Sequence, residues 1–260
     1  MARALARRRL IMRYGSLVLA AILVTCAAGT AGAQSGEPTL SPLALAVACA
    51  PPPSFADAPS HALRVVGSQD SAPRLLFGDH DLLVIGGGTA NGVQLGQQFF
   101  IRRQNMAGGK SAQRGAVTLG WLRVVAVTEA SAVGLVDHVC TGISVDDYLE
   151  PFAMPEVSAA MTRDETPGQP DFATLGHIVA GNENRNAVGA GDLALIDWGQ
   201  NQGLMPGARF SIFRDVGVDH VPLASIGEGV VISIGSTMAL TRVTRARDVV
   251  YSGDYIALRK

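Results

Sequence analysis

Three consecutive glycines, Gly86-Gly87-Gly88, lead into Thr89-Ala90-Asn91-Gly92. Glycine-rich turns whose backbone N–H groups converge can cradle phosphate, so this segment is the first to weigh for chemistry. It misses both motifs it approaches. A G-x-G-x-x-G fingerprint starting at Gly86 needs glycine where Asn91 stands, and no Lys-Ser/Thr pair follows to complete a P-loop. The expected role is a turn, not a ligand cradle.

The other reactive side chains are scattered. His61, His80, His138, His177 and His220 show neither the i,i+4 nor the CxxC-type spacing of metal sites. Asp79-His80-Asp81 is the densest polar cluster, and its place before an apolar run makes it a solvated turn. In Asp137-His138 and Asp219-His220 the partners are adjacent, and adjacent residues of a strand face opposite ways. Asp146-Asp147 precedes a short apolar segment and reads as a turn. G-x-S-x-G and H-E-x-x-H are both missing. No catalytic residue, metal ligand or cofactor is therefore expected. The best candidates for binding are Trp198, Gln200 and Asn201, with Gln202 beside them. An exposed indole stacks on a sugar ring while the amides bond its hydroxyls. The competing expectation is a Trp that closes the end of a barrel, since Trp is usually largely buried.

The elements that hold these residues occur twice. Leu82–Arg103 (LLVIGGGTANGVQLGQQFFIRR) aligns without a gap to Leu193–Arg214 (LALIDWGQNQGLMPGARFSIFR). Gly88, Gly92, Gly96, Phe99, Ile101 and Arg103 recur as Gly199, Gly203, Gly207, Phe210, Ile212 and Arg214. Further on, Gly120, Val124, Val136, Asp147 and Tyr148 recur as Gly227, Val231, Val243, Asp254 and Tyr255. Alternation around Phe210, Ile212 and Arg214, and the short turn Gly235-Ser236-Thr237 between apolar runs, are strand and hairpin signals. Helical periodicity is weak throughout. The expected fold is all-β, with two tandem repeats of a small curled sheet or barrel of about five strands each.

These units set the expected boundaries: a signal peptide at 1–33, a Pro/Ala-rich arm at 34–75, a first module at 76–152, a Pro-rich linker with a lead-in strand at 153–181, and a second module at 182–260. Within the arm, Leu43–Ala48 and Leu63–Val66 read as short strands, and Gln104–Ala116 reads as a hairpin loop. Residues Trp121 and Trp198 differ between copies: Trp121 opposes Glu228, and Trp198 opposes Gly87. A residue that only one copy carries is a better candidate for function than a shared one.

Arg3, Arg7, Arg8, Arg9 and Arg13, the apolar run Ser16–Ala28 and the triplet Ala31-Gly32-Ala33 form a secretory leader. Cleavage after Ala33 leaves 16 of the 21 basic residues against 22 acidic ones, a net charge of about −6. That balance argues against nucleic acid as a partner. No second stretch is long enough to span a bilayer. The expected location is periplasmic or extracellular. There, Cys49 and Cys140 are the only cysteines left, an even pair in an oxidising compartment, and a disulfide between them is expected.

The run Leu195-Ile196-Asp197-x-Gly199, then Gly203-Leu204-x-Pro206-Gly207 and Phe210-x-Ile212, with Gly253-Asp254 before the final strand, resembles the β-rich C-terminal module of the flagellar assembly protein T family. The resemblance covers roughly 175–260 well and 76–152 less well. It implies an envelope accessory or assembly module with no active site, while a flagellar role does not carry over. Two function classes follow. One is a non-catalytic exported protein that binds an envelope protein or surface polysaccharide through its loops. The other is an extracytoplasmic hydrolase, or a carbohydrate-binding module, whose residues converge only in three dimensions.

Overall fold

A computed structural model describes residues 40–260, apart from 55–58, 61, 71, 73, 108–112, 164, 166 and 183–184. The leader and the start of the arm lie outside the described residues. The fold is all-β. The first sheet has six strands: β1 (Val65–Ser68), β2 (Leu82–Ile85), β3 (Gln98–Ala107), β4 (Gln113–Val127), β5 (Ala132–Val139) and β6 (Tyr148–Pro151). They lie in the order β1-β2-β5-β4-β3-β6. Its outer strands meet: Val65 N–H donates to Asp147 O and Leu149 N–H to Leu63 O, at 2.9 and 2.8 Å.

The second sheet is a closed barrel of β7 (Gly176–Gly181), β9 (Leu193–Ile196), β10 (Arg209–Arg214), β11 (Ala224–Ile234), β12 (Ala239–Ala246) and β14 (Tyr255–Leu258). Read from β7, its order is β7-β9-β12-β11-β10-β14, the same path as in the first sheet. A small ribbon of β8 (Ala187–Val188) and β13 (Val250–Tyr251) lies beside it. Each sheet therefore has six strands where about five are expected. The extra strands are β1 and β7, which come from the arm and from the lead-in segment. Each sheet also encloses its own core, the first around Leu83, Ile101, Leu122 and Val136, the second around Ile196, Phe210, Ile212 and Val243.

The glycine turns occupy matching places. A 3-10 turn at Thr89–Asn91 ends on Gly92 at φ 80°, and one at Gln200–Gln202 ends on Gly203 at φ 75°. Only glycine adopts such a backbone freely. Gly88 N–H donates to Asn91 Oδ1 at 3.2 Å, and Gly199 N–H donates to Gln202 Oε1 at 2.9 Å. The turns then seal against the next hairpin, with Thr89 N–H on Thr128 O and Gln200 N–H on Gly235 O. The Gly86–Gly88 run thus leads into a turn, as expected. A Cβ on Gly88 would lie 2.2 Å from Thr128 O, and one on Gly199 would lie 2.6 Å from Gly235 O. Backbone oxygens cannot rotate away, so Gly88→Ala and Gly199→Ala should each cost about 1–3 kcal/mol. Gly67→Ala, where a Cβ meets nothing within 4 Å, should be near neutral. Urea midpoints of the three variants check this, and equal midpoints would refute it.

Two expectations need correction. Leu43–Ala48 is not a strand but most of a helix, α1 (Pro42–Cys49). Ser41 caps it by accepting from Ala44 N–H, and Pro42 sits in the first turn, where its missing N–H costs nothing. The helix is apolar all round because it is covered on two sides. Val47 and Ala50 pack with Leu195, Ile232 and Leu240 on the outside of the second barrel, while Ala48 packs with Phe100 and Trp121 on the outside of the first sheet. Likewise, the β3–β4 ladder runs on as far as Ala107 opposite Gln113, so 104–107 and 113–116 are strand rather than loop. Val65–Ser68, by contrast, does join the first sheet, and α2 (Ala159–Thr162) is a single turn in the linker.

Cys49, the last residue of α1, is disulfide-bonded to Cys140, just beyond β5, with 5.6 Å between their Cα atoms. Thr118 Oγ1 donates to Ala50 O at 2.7 Å and pins the same corner.

Candidate functional site

In the second barrel β7 lies between β9 and β14, which sets His177 opposite Tyr255. Asp197 follows directly on β9. His177 N–H donates to Asp197 Oδ1 at 2.6 Å, and Asp197 N–H returns a bond to His177 O at 3.1 Å. The imidazole Nδ1 lies 2.9 Å from Asp197 Oδ2. With Nδ1 protonated, the ring donates to this carboxylate and leaves Nε2 as an acceptor. The ring also stacks against Tyr255, with centroids 5.0 Å apart. Both His177 and Asp197 keep over two-fifths of their side-chain surface in solvent.

Trp198 is half-buried and packs on the core of the second barrel. A Cβ on Gly176 would lie 2.8 Å from Trp198 Nε1, so the absence of a side chain there is what lets the indole lie close. In the first sheet the sizes are exchanged: a Cβ on Gly87 would lie 2.4 Å from Leu63 Cδ2. Gly87 is the counterpart of Trp198. Leu63, hydrogen-bonded to the start of β6, stands where Gly176 stands. In each sheet one large residue lies over one glycine, from opposite strands. The barrel therefore requires bulk at this place but not an indole.

The three residues selected from sequence are only partly brought together. Gln200 and Asn201 follow Trp198 on the 3-10 turn with exposed side chains, and their N–H groups are engaged by Gly235 O and Ser236 O at 2.9 Å. Gln202 is bound to the turn itself through Gly199 N–H. Sequence reasoning missed His177, Asp197 and Tyr255. One signal was available: Asp197 stands opposite Gly86 in the aligned repeats. His177 was hidden because the lead-in strands fall outside the ungapped alignment. Its counterpart, Arg64, which bridges to Tyr148 as His177 pairs with Tyr255, donates instead to Asp146 O.

Three other polar clusters are tied into the scaffold. His80 has φ 65°, Asp79 Oδ1 accepts from Val139 N–H, and Asp81 Oδ2 accepts from Gly78 N–H, so Asp79-His80-Asp81 is a turn. Asp137 and His138 face opposite ways: Asp137 takes Arg123 and Gln98, and His138 stacks on buried Trp121. Asp147 and Asp254 each receive a two-pronged arginine, from Arg103 at 2.7 and 2.8 Å and from Arg214 at 2.8 and 2.7 Å.

The patch built from His177, Asp197, Trp198 and Tyr255 offers an oriented imidazole, a carboxylate and two aromatic rings beside a turn rich in amides. Such a set suits a neutral, hydroxyl-bearing ligand that stacks and hydrogen-bonds. Among the described residues, no serine, threonine or cysteine hydroxyl or thiol bonds to the His177 ring. No family model matches this chain, and neither does any curated protein.

Proposed function

We propose that this chain is a non-catalytic exported envelope protein made of two tandem copies of one β-barrel module, and that it binds a surface polysaccharide at the patch around Trp198. One observation carries the reading. The turns, the strand path and the arginine–aspartate pairs occur in both modules, whereas His177, Asp197 and Trp198 occur in one and are Arg64, Gly86 and Gly87 in the other. Residues the scaffold does without in one copy are free to serve binding in the other. The Arg-rich leader supports export, and a disulfide fits an oxidising compartment. No helix among the described residues is long and apolar enough to cross a membrane. The resemblance to the envelope module fits an accessory role.

Capture of envelope polysaccharide fractions by the purified protein tests this. His177→Gln and Asp197→Asn preserve size and should weaken capture at least about tenfold, a loss of some 1.4 kcal/mol. Trp198→Phe keeps bulk at the barrel end and should weaken it as well. Unchanged capture in all three variants overturns the reading, and capture of an envelope protein instead of polysaccharide replaces the ligand class. The His177–Asp197 pair also favours a second reading, an extracytoplasmic hydrolase. It predicts turnover of a glycoside or ester by the purified protein that is lost in His177→Gln.

A further inference from the structure

The disulfide corner holds a third metal-ligating group. His138 and Cys140 are two apart in sequence at the end of β5, so they face the same side of the sheet, and α1 brings Cys49 to that side. One ligand atom from each of Cys49, His138 and Cys140 lies within 4.8 Å of the others. The Trp121 indole covers the His138 ring at 4.7 Å and holds its plane. Beside Cys49 opens a cavity of about 420 Å³, lined also by Pro51, Arg103, Thr118 and Thr141 but by neither His138 nor Cys140. Two sulfurs and one imidazole nitrogen are the donor set of a Cys₂His zinc site, which takes its fourth ligand from solvent. Soft thiolates select zinc or copper(I) over hard cations.

The geometry points to a redox-gated metal site: when the Cys49–Cys140 disulfide is reduced, Cys49, Cys140 and His138 bind one thiophilic cation such as Zn²⁺. A dithiol reductant supplies the two electrons and two protons that convert the disulfide to two thiols, and is itself oxidised to a disulfide. Zn²⁺ then displaces both thiol protons into solvent, and neutral His138 donates a nitrogen lone pair. The bound unit is electrically neutral, which suits a half-buried corner. A tetrahedral site with Zn–S of about 2.3 Å sets ligand atoms roughly 3.8 Å apart, within reach of side-chain rotation from the observed cluster. The backbone that holds the cysteines does not depend on the disulfide alone. Thr118 grips Ala50 O, and Cys140 N–H donates to Leu119 O at 2.8 Å. Oxidised, the corner is a covalent staple; reduced and metallated, it is a coordinate one. This inference is independent of the proposed binding patch.

The test is a Zn²⁺ titration of the purified protein against a chromogenic chelator, with and without a phosphine reductant, monitored for folding by circular dichroism. The reduced protein should take up one equivalent, and the oxidised protein none at this site. Cys49→Ser/Cys140→Ser should abolish uptake. His138→Gln should weaken it at least about tenfold, the smallest loss typical even of an outer-shell partner. Uptake that His138→Gln leaves unchanged would be thiol binding alone, as an unfolded reduced chain would also give, and overturns the site. Reduced wild type that binds no better than the double serine variant overturns it too.

Discussion

Replacing Cys49 and Cys140 together with serine should lower the thermal midpoint by roughly 5–15 °C, from a loss of about 2–4 kcal/mol. The bridge joins residues 91 apart in sequence, so it removes a large share of the unfolded chain's freedom. The chain-entropy model puts the upper limit at about 4–5 kcal/mol, and measured bridges usually deliver less. A second contribution is local. Cys49 ends α1, and the bridge holds that helix against the first sheet while its other side lies on the second barrel. Loss of the bridge should therefore loosen residues 41–53 before either sheet melts. Differential scanning calorimetry gives the midpoint, and amide exchange at Val47–Ala50 reports the helix. A fall of less than about 1 °C, with unchanged exchange in α1, would refute both parts.

Arg214→Met should destabilise the second barrel by about 3 kcal/mol, and Arg103→Met the first by about half that. Both arginines grip a nearly fully buried carboxylate through two parallel bonds. Asp254 also accepts from Tyr251 N–H at 2.6 Å, and Asp147 from Ser144 N–H at 2.6 Å, so each pair locks the turn before β14 or β6 to the strand it pairs with, β10 or β3. Removing the cation leaves a buried charge without its partner, which costs more than the pair itself is worth. The difference between the two variants follows from solvent: 24% of the Arg214 side chain is exposed against 42% for Arg103. Arg214 also lies 4.8 Å from the centre of the Tyr251 ring and donates to Val249 O. In both, the hydrogen bond to aspartate holds the guanidinium above its ordinary proton affinity. Urea unfolding of the two variants decides the order. An Arg103→Met loss equal to or greater than that of Arg214→Met would show that screening does not set the difference.

Glycine was the most informative residue type in the sequence. Gly92 and Gly203 mark left-handed turn ends, and Gly88 and Gly199 mark backbone contacts too close for a Cβ; both demands are local, so spacing alone exposes them. The disulfide was legible because the expected loss of residues 1–33 leaves only one possible pair. The helix α1 was not legible. An eight-residue apolar segment carries neither a helical nor a strand period, and only the two surfaces it separates decide its form. Asp147 and Asp254 were visible as a recurring pair, yet their roles depend on Arg103 and Arg214, 44 and 40 residues earlier in the chain, arriving on the paired strand. The His177–Asp197 contact spans the antiparallel β7–β9 pair, and Tyr255 joins it only through the β7–β14 pairing that closes the barrel.

The position of α1 constrains the order in which the chain can finish folding. Its apolar surface is made early in synthesis, but half of its seat consists of Leu195, Ile232 and Leu240, which come together only when β9, β11 and β12 have paired. Until then that side of the helix is uncovered, and its docking brings Val47 against residues as far along the chain as Leu240. The disulfide to Cys140 needs only the first sheet. An early bridge therefore stores the helix beside its final seat, so that the second barrel can close onto a wedge already in position.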